Sequence, residues 1–548
     1  MARLMGQMMQ MPLMISSLLV HAARHNGDTE IVSKRVEGDI HRYTYKDAEL
    51  RARKLAQAFA KLGCEPGDRV ATLAWNGYRH FEIYYGASGS ELVCHTINPR
   101  LFPEQIAWIA NDAADKVLCF DLTFLPLVEK LVPALTSVKH YVAMVGRSHM
   151  PAQTTIPNLL SYEELVDAED GVYRWPEFDE NTASSICYTS GTTGNPKGAV
   201  YSHRSTLLHS YGLALPDGMG VSGKDVILPV VPMFHDNAWG TPYAAPMIGA
   251  KLVFPGPHLD GKSLYELMEG EKVTFSAGVP TVWLGLINFA QAGKLKFSSL
   301  KSTVIGGSAC PPAMMRTLED EFGIEVIHAW GMTEMSPLGT LSKLKGKHDA
   351  LPVEAKRRIL EKQGKVIFGV DMEIIDDDGA SLPWDAEASG NLVVRGPWII
   401  RSYFQRNESP LVKVNGREWF PTGDVAAIDA DAYMQITDRS KDVIKSGGEW
   451  ISSIDLENIA MGHPAVLEAA AIACRHPKWD ERPLLVVVKK AGAELTRDQM
   501  LAFFDGKIAK WQIPDDVVFA PEIPHTATGK IQKLKLRDMY KDHKLPGA

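Results

Sequence analysis

Between about residue 40 and residue 340 the chain repeats one local pattern. Short apolar runs rich in β-branched residues (RVATLAW, ADKVLCF, HYVAMV, DVILPVV, AKLVFP, KVTFSAG, STVIGGS and EVIHAW) alternate with longer segments such as YKDAELRARKLAQAFAKLG, where apolar residues recur at helical spacing between charges. A short continuous apolar run suits a strand covered on both faces. Strand and helix in alternation therefore predict an α/β body of largely parallel sheets flanked by helices. From about 365 to 437 the texture changes to short strands and tight turns (MEIIDDDGASL, GNLVVRGPWII), which predicts a small β-rich subdomain, expected over about 345–437. It changes again at TDRSKDVIKSGGEW, where a compact α+β segment begins and runs to the end. The expected division is a large domain over 1–437 and a smaller one over 438–548.

A chain of 548 residues is too long for a single ordinary domain, and 45% hydrophobic with 23% charged residues is the composition of a globular protein. The net charge is −8 with no long run of one sign, which argues against nucleic acid as a partner. Residues 438–548 are nearly neutral, with 17 basic against 16 acidic side chains, so the acidic excess lies in the body. A neutral module with basic residues at Lys530–Lys535 could close over an anionic ligand that the body alone repels. Cys64, Cys94, Cys119, Cys187, Cys310 and Cys474 show no C-x-x-C spacing. They read as reduced thiols of a cytoplasmic protein rather than a disulfide frame or a zinc site. The Met-rich start, MARLMGQMMQMPLMISSLLVHAARH, is broken by Gln7, Gln10 and Pro12. No transmembrane span is expected there; the segment either packs on the body, reaches a partner subunit or touches a membrane surface.

Four loops that follow predicted strands carry polar and small residues. They are YTSGTTGNPKG (188–198), PMFHDNAWG (232–240), IGGSACPP (305–312) and HAWGMTEMSP (328–337). In open α/β sheets, ligands sit where strands end and loops begin, so four such loops at regular spacing point to one shared site. The first loop can aim N–H groups, hydroxyls and Lys197 at an anion. It is not a Walker A loop, because Pro196 precedes Lys197 and Gly198 follows it. Read alone, it is either a phosphate cradle of another kind or a solvated surface turn.

YTSGTTGNPKG, WGMTE, TGD, DRSKDVIKSGGEWIS and the terminal PHTATGK occur here in the order seen in the ANL adenylate-forming superfamily of acyl-CoA synthetases, adenylation domains and luciferases. The chain resembles that superfamily from about Tyr43 to Arg537. The flanking text, VVPMFHDNAWGTPYAA and IKSGGEWISSIDLEN, is most similar to its fatty-acyl-CoA synthetase branch, and within it to bacterial ligases acting on 3-methylmercaptopropionate and medium-chain acids. The resemblance implies an acid–CoA ligase that first makes an acyl-adenylate from a carboxylic acid and Mg-ATP, releasing pyrophosphate, and then passes the acyl group to CoA. It also implies a mobile C-terminal lid and a homodimer.

Site residues follow from the same resemblance. Thr189, Ser190, Gly191, Thr192, Thr193, Gly194 and Lys197 would cradle the pyrophosphate end of ATP, and Thr189 with Glu334 would hold Mg2+. Thr333 would meet the α-phosphate, flanked by Gly331 and Met332. Gly307, Ser308, His328, Ala329 and Trp330 would wall the adenine; the motif usually has Tyr where Trp330 stands, so the flat face is kept and the hydroxyl lost. Asp424 would accept from the ribose hydroxyls with help from Arg439. Lys530 would bridge the attacking carboxylate and the α-phosphate. Asp438 would be the hinge on which the C-terminal domain turns, bringing Lys445, Ser446, Gly447, Gly448, Glu449 and Trp450 toward CoA. His235 would lie between acyl and thiol tunnels, with Trp239, Met233, Gly278, Val279 and Pro280 lining a short pocket. A long-chain acid, a carrier-protein adenylation domain, a luciferase-like oxygenase and a non-catalytic nucleotide scaffold are the competing readings.

Overall fold

The structure, a computed structural model, describes residues 4–189, 195–439, 441–446, 449–526 and 530–546. Two sheets build the body. The first holds seven strands in the order Leu160–Ser161, His140–Ala143, Asp115–Phe120, Arg69–Leu73, Val93–Thr96, Ala183–Tyr188 and Gly198–Ser202. All pairings are parallel except the last, where Gly198–Ser202 returns antiparallel along Ala183–Tyr188. The second holds nine strands in the order Lys365–Val366, Leu338–Leu341, Glu325–Gly331, Ser302–Ile305, Phe275–Gly278, Val226–Pro229, Lys251–Phe254, Glu30–Lys34 and Ile40–Thr44. Its six central strands are parallel and its edges antiparallel. The eight apolar runs read from the sequence are all strands here, and the expected α/β class holds.

The helix Tyr45–Lys61 shows why the pattern folds this way. Thr44 accepts from the N–H of Asp47, and the Asp47 carboxylate accepts from the N–H of Thr44 at 3.0 Å, so two otherwise unsatisfied donors are capped. Ala48, Ala52, Leu55, Ala56 and Phe59 then bury one stripe. That stripe packs on Tyr78–Gly89, a helix buried on every side because it lies between elements of both sheets. Each large apolar side chain so buried contributes about 1.5–3 kcal/mol.

The small sheet falls where the strand texture begins. A helix, Val353–Leu360, and the edge strand Lys365–Val366 come first, and the small sheet spans Asp371–Ile375, Ser389–Arg395, Val412–Val414, Arg417–Ile428 and Met434–Arg439. A further sheet starts at Ile444–Ser446 and is dominated by the hairpin Val466–His476 and Asp480–Lys489, against which Asp516–Phe519 runs parallel. At the passage between these two sheets, Asp438 is buried and accepts from the N–H of Arg439 and of Ser453, each at 2.7 Å. It thereby ties the last strand of the small sheet to the first helix of the C-terminal segment, Ser453–Met461.

The N-terminal helix Ile15–His25 buries Ile15, Leu18, Leu19 and Ala22 in the main core. Leu4, Met5, Met8, Met9 and Met11 ahead of it are exposed. No helix among the described residues is long and apolar enough to cross a membrane.

Candidate active site

The first three segments follow buried strands, whereas the fourth, 328–337, begins inside the strand Glu325–Gly331 and leaves it only at Met332. Among the described residues, cross-links between distant segments hold them together. Asn76 pins the loop at 229–233: its amide donates to the carbonyls of Pro229 and Val231, each at 2.9 Å, and its oxygen accepts from the N–H of Met233 at 2.6 Å. The Tyr84 hydroxyl donates to the Met233 carbonyl. The Tyr201 hydroxyl donates to the Thr333 carbonyl at 2.6 Å, joining the returning strand of the first sheet to a loop of the second.

After Met233 the chain makes a left-handed turn. Asp236, Asn237, Ala238 and Trp239 have φ of 49°, 50°, 50° and 54°, and none is glycine. Left-handed geometry costs roughly 1–2 kcal/mol per residue and persists only where neighbours enforce it. The enforcement is visible: Asn237 donates to Ser185 Oγ at 2.9 Å, and the N–H of Gly240 donates to the Asn237 carbonyl at 3.0 Å. The turn folds Asp236 back onto its neighbour, with Asp236 Oδ2 3.3 Å from His235 Nε2. The other oxygen of Asp236 is buried without a hydrogen-bond partner among the described residues. Burial lowers the pKa of His235, opposed by the carboxylate of Asp236.

Lys530 arrives from the far end of the chain. A β-carbon at Gly307 would stand 3.1 Å from Val279 Cγ1, 3.7 Å from Lys530 Cε and 3.8 Å from Trp239 Cζ2. Gly307 also has φ of +81°, so glycine is required here by backbone and by space alike. Burial lowers the pKa of Lys530, and Arg439 adds to this; Asp236, Asp424 and Glu334 oppose it. One ammonium thus stands within electrostatic reach of three carboxylates.

Asp424 is buried, and burial raises its pKa. Trp330 Nε1 donates to its Oδ2 at 2.9 Å, and Arg439 Nε lies 3.5 Å from Oδ1. The Trp330 ring lies against Gly339, whose missing side chain makes the room. His328 is placed differently from an open wall: Nε2 accepts from the N–H of Cys310 at 3.1 Å and Nδ1 lies 2.9 Å from the Glu361 carbonyl. Both ring nitrogens are occupied, and burial holds its pKa at about 4, so the ring is neutral. Gly307 and Ser308 stay accessible, while Ala329 and Thr333 are buried.

Glu334 is buried, which raises its pKa, and its Oε1 accepts from the Tyr403 hydroxyl at 2.6 Å. Thr189 Oγ1 accepts from the N–H of Lys197 at 3.4 Å, and the Thr189 N–H donates to the Lys197 carbonyl at 2.9 Å. Ser190, Gly191, Thr192, Thr193, Gly194, Gly447 and Gly448 lie outside the described residues, as do the side chains of Glu449 and Trp450. Among the described residues no group of three or more His, Cys, Asp or Glu side chains could hold a metal. Glu334 and the Thr189 hydroxyl are still the hard oxygen donors that Mg2+ takes when phosphates and water complete its shell.

Of the residues expected to line an acyl pocket, Met233 is fully buried, Trp239 and Pro280 are buried, and Val279 borders Gly307. Lys445 is exposed, and Ser446 is buried beneath Arg482, whose Nη1 lies 3.2 Å from its Oγ. Tyr403, Tyr201, Asn76 and Asp236 are absent from the sequence-derived site. Only Asp236 carried a signal, as the acid beside His235.

Residues 19–404 match the AMP-binding enzyme family and residues 455–530 match the AMP-binding enzyme C-terminal domain. The chain belongs to this family. It is 54% identical, over 98% of its length and 99% of the relative, to the 3-methylmercaptopropionyl-CoA ligase of Ruegeria lacuscaerulensis. It is 52% identical, over 98% of both chains, to a medium-chain-fatty-acid–CoA ligase of Ectopseudomonas oleovorans. An anthranilate CoA ligase solved with anthranoyl-AMP shares the fold at a TM-score of 0.85 and 23% identity, covering 97% of this chain and 98% of that one.

Proposed function

We propose that this site makes an acyl-adenylate and then an acyl-CoA, so that the chain is an ATP-dependent acid–CoA ligase. Full-length identity above 50% to two CoA ligases supports the overall reaction. The observation that carries the residue roles is the place of Lys530, beside Gly307 and Trp239 and within electrostatic reach of Glu334 and Asp424.

In the first step a carboxylate oxygen of the acid attacks the α-phosphorus of ATP, and the bond to the β-phosphate oxygen breaks with loss of pyrophosphate. Two anions must meet, which is costly in a dry site. Lys530 offsets that cost by lying between them and stabilising the charge that builds up in the transition state. Thr189 and Lys197 face the departing phosphates, Thr333 the α-phosphate, Asp424 the ribose and Trp330 the base. Thr189 and Glu334 would hold Mg2+, which when bound neutralises phosphate charge. In the second step the CoA sulfur attacks the acyl carbon, the carbon–oxygen bond to AMP breaks, and AMP leaves. Asp438 is the pivot for exposing Lys445 and Ser446 to CoA between the steps.

The preferred acid is short or medium in length, with the thioether 3-methylmercaptopropionate foremost. Met233 and Trp239 support this, since a bulky indole shortens a pocket and a methionine adapts to thioethers and alkyl chains. The exposed apolar stretch at Leu4, Met5, Met8, Met9 and Met11 supports a homodimer, and the six free cysteines fit a reducing cytoplasm. Thioester formation with 3-methylmercaptopropionate, butyrate, hexanoate, octanoate and palmitate tests the substrate. Highest kcat/KM on the thioether or an acid of eight carbons or fewer is expected; highest on palmitate refutes the short pocket.

A further inference from the structure

Tyr403 touches both charged partners of the phosphate region. Its hydroxyl donates to Glu334 Oε1 at 2.6 Å, and the Lys197 ammonium sits over its ring, 4.9 Å from the centroid. The backbone repeats the link on either side. The N–H of Phe404 donates to the Gly198 carbonyl at 2.8 Å, and the N–H of Ile400 donates to the Glu334 carbonyl at 3.0 Å. The segment 400–404 is therefore a strut between the end of the phosphate loop and the Thr333–Met335 turn. Neither segment is near it in sequence.

Glu334 and Lys197 carry opposite charges, yet among the described residues each meets Tyr403, the ammonium over its ring and the carboxylate at its hydroxyl. A direct pair would neutralise both before any nucleotide arrived. The ring gives the ammonium a weak resting place, since a cation over a tyrosine face is held only loosely where solvent has access. Phosphate oxygens outbid that easily. The hydroxyl acts on the other partner: a carboxylate with one oxygen fixed by a donor has its second oxygen and its plane oriented. Tyr403 also lines a cavity of about 510 Å³, together with Tyr201, Ser205, Trp398 and Arg406, so the ring has space to shift when Lys197 leaves it.

We infer that Tyr403 is the positioning residue of the phosphate end of the site, orienting Glu334 for a divalent cation through its hydroxyl and keeping Lys197 apart from Glu334 through its ring. This rests on the reading of Glu334 and Lys197 given above. Tyr403 meets Glu334 through its hydroxyl and Lys197 through its ring, so its effect passes through these two residues.

The test is equilibrium binding of ATP, followed by tryptophan fluorescence while Mg2+ is titrated, on wild type, Tyr403→Phe, Tyr403→Leu and Glu334→Gln. Phe keeps the ring and every apolar contact. It is expected to raise the half-saturating Mg2+ about tenfold, and to raise the KM for ATP with kcat changed less than threefold. Leu removes the ring as well, and is expected to weaken ATP binding even at saturating Mg2+. An unshifted Mg2+ midpoint in Tyr403→Phe, with a shifted one in Glu334→Gln, overturns the inference and leaves the parent reading intact. An unshifted midpoint in Glu334→Gln overturns both.

Discussion

Trp330 Nε1 donates to Asp424 Oδ2 at 2.9 Å, with both side chains buried. A flat face without a hydroxyl was expected at Trp330; its indole N–H restores a donor and fixes one oxygen of Asp424, the carboxylate proposed to meet the ribose, while the other oxygen faces Arg439 Nε at 3.5 Å. A hydrogen bond to a charged group contributes about 1.5–3 kcal/mol. Trp330→Phe keeps the stacking face and removes the donor. The KM for ATP is expected to rise about tenfold or more with a smaller change in kcat, measured by steady-state kinetics at saturating acid.

Gly307 is closely bordered. A β-carbon there meets Val279 at 3.1 Å and stands in the space shared by Lys530 and Trp239, on a backbone with φ of +81°. Gly307→Ala is expected to slow adenylate formation at least tenfold, because positive φ alone costs a non-glycine residue about 1–2 kcal/mol and the new methyl crowds Val279. Pyrophosphate release measures it. Circular dichroism should show an unchanged fold.

In the proposed mechanism the ammonium of Lys530 is the active form, and burial has lowered its pKa. The charge is therefore lost as pH rises through a value below the usual range for lysine, near 10.4. The alkaline limb of the adenylation profile should fall below that value. Lys530→Arg should move the limb to higher pH, since a guanidinium does not titrate there, whatever it does to the maximal rate.

His328, His80 and His203 are buried with pKa values of about 4, and His209 with about 3, each depressed chiefly by burial. Their neutral forms belong to the native state. The stability they contribute is present above the unfolded value near 6.5 and is lost as pH falls from there through the folded values. The thermal midpoint is expected to drop steeply between pH 6.5 and 4, by scanning calorimetry; a flat midpoint over that interval would contradict the placement of these rings.

Much of this was legible beforehand, for local reasons. The runs at 69–75, 114–120 and 302–308 announced strands because β-branched residues were bounded by turn formers, and Lys530 and Glu334 stood inside motifs. What escaped was non-local. Tyr403 meets Glu334 across 69 positions and Tyr201 meets Thr333 across 132, and a tyrosine in a loop carries no periodic signal of such a partner. The turn from Asp236 to Trp239 was hidden for the opposite reason: sequence reading looks for glycine where φ is positive, and here tertiary contacts override residue preference. The early part of the expected β-rich subdomain became the helix Val353–Leu360, where charged residues at helical spacing outvoted the surrounding turns.

The central claim is that a lysine carried in from the C-terminal segment serves the first half-reaction. The direct test compares wild type and Lys530→Ala in two assays: pyrophosphate release with Mg-ATP and acid, and thioester formation from preformed acyl-adenylate and CoA. The account predicts that the first falls by a hundredfold or more, as removal of a charge-stabilising donor does, while the second stays within about threefold. Equal losses in both, or an unchanged rate of pyrophosphate release, would contradict it.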